Sequence, residues 1–240
     1  SLFFSILTRI FFMIENSAIM HVIALVCSGA TISMIFNILI NNLMRLWVRF
    51  KVNLYGDESY LTHTLPVEKK TLYLSKVLTG IITLFVSVVI IGLMLFVAYY
   101  SKENIELVKN LLLPVANMYG STIVKILLAL LFIFFIEFAC GLQSGYSGII
   151  LGHKMNSAKI GFSVLFGFVA YMIQQIIGLI MVFLVALFDK DLMNLFYTTE
   201  IVSVDVLKMV IYLAIGIYSL VFVIGYFVNL KLFSQGVNVD

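Results

Sequence analysis

Apolar side chains fill six stretches of this chain, at residues 2–14, 18–44, 77–100, 121–151, 160–188 and 206–230. All but the first reach the roughly 20 residues with which a helix crosses a hydrocarbon core of about 30 Å. The runs are continuous, whereas the strands of a membrane barrel alternate lipid-facing and lumen-facing positions. The pattern predicts an all-α, polytopic transmembrane bundle of about six spans, forming a single domain over 1–240. The 2–14 run is too short for a full crossing and has no basic residues ahead of it. It reads as the end of a span that begins before Ser1, not as a signal peptide.

Composition agrees: the chain is 62% hydrophobic and 11% charged, against about 25% charged in a soluble domain. A net charge of +3 gives no electrostatic case for nucleic acid; membrane lipid is the expected surrounding. Cys27 and Cys140 lie inside apolar runs, far apart and without Cys-x-x-Cys spacing, so they read as small buried hydrophobes.

Basic residues set the expected orientation. Placing the segment from Met44 to Lys76 in the cytoplasm gathers Arg45, Arg49, Lys51, Lys69, Lys70, Lys76, Lys154, Lys159 and Lys231 on that side. The opposite loops, 101–120 and 189–205, keep Lys102, Lys109 and Lys190 but hold half of the acids: Glu103, Glu106, Asp189, Asp191, Glu200 and Asp205. Both termini are then expected in the cytoplasm. Ile105, Leu107, Val108, Leu111 and Leu112 predict a short amphipathic helix in the first outer loop, stopped by Pro114. Leu192, Met193, Leu195, Phe196 and Tyr197 predict a similar element in the second.

The one long polar segment, 53–76, is an elbow between two spans. Gly56-Asp57-Glu58 offers a turn and a helix start, with Asp57 able to cap. Leu65 precedes Pro66, so the first short helix should end there. Pro66 and Glu68 suit the first turn of a second helix leading into the next span. Without a motif, a solvated connector and a docking element have about equal claim on this segment.

The run Tyr55-Gly-Asp-Glu-Ser-Tyr-Leu-Thr-His-Thr-Leu-Pro-Val67, followed by Leu72-x-x-Ser75-Lys76, resembles the membrane subunits of bacterial ABC-2-type transporters. More narrowly, it resembles a permease group of low-GC Gram-positive bacteria. Arg49-Phe50, Gly152-His153-Lys154 and the terminal Gly-Val-Asn-Val-Asp at 236–240 extend the likeness. Two departures stand out: the family's leading interfacial helix is not in this sequence, and its usual glycine after Glu58 is Ser59. The resemblance implies a type V (ABC-2) exporter-like bundle in a bacterial plasma membrane, working as a homodimer or heterodimer of permeases. It implies separate ATPase subunits that bind Mg-ATP, with no cofactor in this chain. The elbow would carry the coupling helix, with Tyr55, Gly56, Asp57 and Glu58 meeting the ATPase and Tyr60 and Leu61 as an apolar plug. Gly152, His153 and Lys154 would form a smaller second contact. The implied cargo is hydrophobic or amphipathic, a peptide such as an antimicrobial one being favoured over a lipid-like molecule.

Inside the spans, Glu137 is the one deeply placed acid. An ionisable group there costs about 2.5–3.5 kcal/mol on insertion scales and normally faces the bundle interior or a wet cavity. It reads as a structural carboxyl, as a partner for Lys125 or a cationic substrate group, or as the proton site of a stand-alone secondary transporter. Gln143, Gln174, Gln175, Asn37 and Asn41 read as interhelix hydrogen bonders ahead of a substrate path. Gly141, Gly145, Gly148 and Gly152, at spacings of 4, 3 and 4, predict a close-packing seam. Gly145-Tyr-Ser-Gly148 matches the Gly-x-Ser-Gly of rhomboid proteases, but none of His21, His63 and His153 lies in the sixth span to serve as base for Ser147. That reading is rejected. No phosphate-binding Gly-x-x-x-x-Gly-Lys and no metal motif occurs in the sequence, so the chain is not expected to be an enzyme.

Overall fold

Eight helices account for nearly all of the described chain: α1 (Leu2–Phe12), α2 (Ala18–Tyr55), α3 (Ser59–Thr64), α4 (Lys69–Tyr99), α5 (Lys102–Met118), α6 (Ile123–Gly152), α7 (Lys159–Ala186) and α8 (Val204–Ser234). The structure, a computed structural model, describes residues 2–12, 14, 18–64, 66–189, 192–193 and 204–235. Outside them lie most of the expected outer loop at 189–205, including Leu195, Phe196 and Tyr197, and the tail at 236–240. Five helices (α2, α4, α6, α7 and α8) are long and apolar enough to cross a membrane, and α1 is a shorter apolar helix. This is the make-up of a helical membrane bundle. Val164 and Leu179 on α7 remain 70% and 66% exposed, which places that face against lipid or a partner rather than water.

The central helix is α6, which touches α2, α4, α5, α7 and α8. Its tightest seam is with α7, where a Cβ on Gly148 would overlap the backbone of Ser163 and Gly167, and one on Gly152 would overlap Ser163. Two members of the predicted glycine strip thus let two backbones approach closely. Helix α1 rests on α2 and α4. Thr8 Oγ1 lies 3.3 Å from Thr31 Oγ1, and the Arg9 guanidinium sits 5.7 Å over the Tyr100 ring. Helices α2 and α4 add two polar ties: Ser28 Oγ to Tyr99 OH at 2.6 Å and Asn42 Nδ2 to Ser87 Oγ at 2.6 Å.

Three boundaries differ from expectation, the first being that α2 runs past residue 44 to Tyr55. Pro114 does not stop α5, which runs on to Met118. The proline removes one interior N–H, but the last turn is held by Tyr119 N–H donating to the Val115 carbonyl at 2.9 Å and by burial of Ala116. Ser101 caps its other end, accepting from Asn104 N–H at 3.0 Å. After the elbow, α4 begins at Lys69, not Pro66, because Glu68 is still extended (φ −60°, ψ 138°). Pro66 and Glu68 therefore precede the first turn. Helix α3 ends at Thr64, before the proline.

Candidate functional site

The elbow is held by a cluster of rings at one end of the bundle. Phe50, near the end of α2, stacks on Tyr146 of α6 with centroids 4.0 Å apart and planes 17° from parallel. Tyr73 of α4 meets Phe50 edge-on at 6.2 Å and Phe233 of α8 at 6.0 Å. Tyr55, the last residue of α2, stacks on His153 at 4.4 Å. All of these side chains are buried. The sequence explains the clamp: Arg45, Arg49 and Lys51 interrupt the apolar run while Leu46, Phe50 and Leu54 keep helical spacing toward the core. Helix α2 therefore continues as a helix to Tyr55.

Three separate segments meet at this end. Lys69, after the elbow, donates to the Ser234 carbonyl at 3.4 Å, and Lys154, in the α6–α7 turn, donates to Gln235 Oε1 at 3.1 Å. Tyr55 and His153 join the first two directly. His153 Nδ1 lies 2.8 Å from the Ile149 carbonyl, which fixes the ring in the turn. The grouping of the elbow, residues 152–159 and the end of α8 on one side matches the distribution of basic residues.

The predicted coupling residues divide into two sets. Tyr55, Gly152 and His153 are interior, so they hold the elbow and do not present a surface. Asp57, Glu58 and Lys154 are exposed, and Tyr60 and Leu61 are 76% and 69% exposed. Gly56 is half-buried in a turn closed by Ser59 N–H donating to its carbonyl at 2.9 Å. Two acids in the turn and two large apolar side chains on α3 thus project from a clamped base. Ser59 itself is buried.

Beyond this clamp a groove of about 870 Å³ opens between α2, α6 and α7. Its walls are apolar, with Met44 and Val48 on one side and Val164 and Phe168 on the other. Gly141 and Gly145 form part of its floor. Gly145 makes room for the Trp47 indole, which would overlap a Cβ there, whereas a Cβ on Gly141 would meet nothing within 4 Å. Glu137 and Lys51 are its charged lining residues, and Tyr171 lies on the α7 side. Glu137 is 14 residues from Ile123 and 15 from Gly152, so it stands at the middle of α6, roughly 21–22 Å from either end. Trp47 and Tyr171 were not singled out from sequence; being the only tryptophan was the available signal for the first.

The other intramembrane polar residues mostly bond to one another. Gln143 is fully buried and accepts from Tyr73 OH at 2.6 Å and from Asn229 Nδ2 at 2.9 Å. Ser147 Oγ lies 2.6 Å from Asn229 Oδ1, so the serine of the rejected protease motif belongs to this network. Gln174 Oε1 accepts from Ser144 at 2.9 Å, and Gln175 Oε1 from Tyr218 OH at 3.2 Å. Asn37 and Asn41 are exposed on α2 and hydrogen-bond to each other. Cys27 and Cys140 are buried free thiols. Among the described residues no three His, Cys, Asp or Glu side chains gather as a metal site.

No family model matches the chain, and comparisons with curated proteins and with solved structures find no match either.

Proposed function

We propose that this chain is the membrane subunit of an ATP-driven, ABC-2-type exporter in a bacterial plasma membrane. It works with a second permease subunit and with separate ATPase subunits that carry Mg-ATP. The observation that carries the reading is the tip formed by Asp57, Glu58, Tyr60 and Leu61 on a buried aromatic base. A solvated connector has no use for a tyrosine and a leucine exposed side by side; a docking helix does. A firm base beneath the tip lets a partner's movement reach the spans as a rigid-body tilt. In this reading Asp57, Glu58, Tyr60, Leu61 and Lys154 touch the ATPase, while Tyr55, Gly152 and His153 transmit force. The elbow end then faces the cytoplasm, with both termini on that side.

The groove is the cargo site in this reading. Its volume lies within the roughly 300–1,000 Å³ of ordinary ligand pockets, and its apolar walls suit a hydrophobic or amphipathic molecule, a peptide before a lipid. Glu137 in the groove also supports a second reading, a proton-coupled transporter that needs no ATPase.

Copurification from the native membrane tests the choice. The native chain is expected to retain an ATPase subunit, and the double variant D57K/E58K to lose it while eluting as the native chain does. An unchanged ATPase yield in the double variant overturns the docking role of the tip. Transport in vesicles free of ATP, abolished by E137Q, selects the proton-coupled alternative.

A further inference from the structure

The two charged groups of the groove stand at opposite ends. Trp47 Nε1 donates to the Leu142 carbonyl at 3.3 Å and fills the space left by Gly145; Phe50 stacks on Tyr146. These contacts set α2 beside α6 in the same direction. Glu137 lies just over two turns nearer the start of α6 than Gly145, level with the stretch of α2 between Asn37 and Asn41. Lys51 is about 18 Å away along the axis, far beyond ion-pair reach. Asn37, Asn41, Met44, Val48 and Lys51 fall at spacings of 4, 3, 4 and 3, so they form one stripe. The lower part of that stripe lines the groove, and the amides continue it past the level of the carboxylate.

The Glu137 end of the groove therefore offers one carboxylate and the Tyr171 phenol, with no base at that depth among the lining residues, and Asn37 and Asn41 stand next to it on the α2 stripe. The geometry points to an amphiphile carrying a single protonated amine as the occupant, its ammonium on Glu137 and its apolar body lying along Met44, Val48, Val164 and Phe168 toward Lys51. A carboxylate at mid-span is costly unless a cation or hydrogen bonds compensate it. A primary ammonium supplies both, with three N–H donors and a full charge. An anionic amphiphile would place like charge beside Glu137, and a neutral one would leave its charge unmatched. The inference rests on the groove being the cargo site and names the cargo's chemistry.

Trp47 is the only tryptophan and lines the groove, so its emission reads occupancy directly. The full chain in nanodiscs of zwitterionic lipid is titrated with dodecylamine, dodecanol and dodecyl sulfate. Dodecylamine is expected to saturate the Trp47 signal at a concentration roughly tenfold below that of dodecanol, with dodecyl sulfate weakest. In E137Q the amine and alcohol curves should coincide. G141L, whose added Cβ meets nothing within 4 Å, should weaken both probes with unchanged circular dichroism. Equal half-saturation by amine and alcohol in the native chain overturns the proposal, and that comparison needs no variant to fold. ATPase copurification is scored on the same preparations. An amine preference without a retained ATPase sinks the exporter reading alone; a retained ATPase without the preference sinks the amine site alone.

Discussion

Tyr55 and His153 stack with ring centroids 4.4 Å apart and planes tilted by 35°, and this contact joins the elbow to the α6–α7 turn. Both rings are buried, with exposures of 1% and 0%, although the elbow around them is polar. The Tyr55 hydroxyl has no hydrogen-bond partner among the described residues, so its value to the fold lies in the ring. Tyr55→Phe is expected to be neutral or stabilising by up to about 1 kcal/mol, because an unmatched buried hydroxyl is removed. Tyr55→Ala should cost about 3–5 kcal/mol, as other large aromatic truncations do. A double-mutant cycle with His153→Ala should leave a coupling of about 0.5–1.5 kcal/mol. Unfolding in mixed detergent measures all three; a destabilised Tyr55→Phe would mean that the hydroxyl has a partner.

The glycine strip gives a matched pair of substitutions. Gly148→Ala pushes a methyl into the backbone of Ser163 and Gly167, so α7 must move away from α6. A loss of about 1–3 kcal/mol is expected. Gly141→Ala meets open space and should be neutral or gain about 0.5–1 kcal/mol from helix propensity. Thermal stability of the two variants, measured side by side, checks the contrast. Equal losses would show that the seam does not depend on close approach at position 148.

The spans were legible because lipid demands long apolar runs, and α4, α6, α7 and α8 follow those runs closely. The continuation of α2 to Tyr55 was not, since residues 45–55 mix arginine and lysine with aromatics. Their pattern makes sense only once Tyr146 and His153 are known to lie opposite. Pro114 stays inside α5 because the burial of Ala116 beyond it offsets proline's local penalty, and that burial is not written in the local sequence. Glu137 could be picked out from sequence, and Trp47 only as the lone tryptophan, but Tyr171 and Asn229 could not. Their roles arise from which helices are neighbours, and the chain order of spans does not reveal that.

The Gln143 network spans three helices, and its members should therefore be non-additive. Asn229 donates to both the carbonyl and Oε1 of Gln143, at 3.0 and 2.9 Å. Asn229→Ala is expected to cost about 1–2 kcal/mol, at the upper end for interhelix hydrogen bonds in membranes. Tyr73→Phe removes one bond, from Tyr73 OH to Gln143 at 2.6 Å, and should cost about 0.6–1 kcal/mol. Combined, they should cost less than the sum, because Gln143 is already impaired by either one. Strict additivity in unfolding measurements would show that the two bonds act independently.

Tyr60 and Leu61 separate stability from docking most cleanly. Being 76% and 69% exposed, they contribute little to the chain's own packing, so Tyr60→Ser with Leu61→Ser should change stability by no more than about 0.5 kcal/mol. If the tip seats in a partner's groove, those two side chains are its apolar anchors, and anchors of this kind often cost about 2 kcal/mol or more each when truncated. The double variant should therefore elute and unfold like the native chain while its retention of ATPase falls at least tenfold. The two acids beside them would steer and orient the encounter, so their charge reversal should act more strongly at low salt than at high salt, whereas the apolar double variant should be nearly insensitive to salt. Pull-down at two ionic strengths reads both effects. A partner retained equally well by the serine variant at either salt would assign Tyr60 and Leu61 to the lipid surface instead.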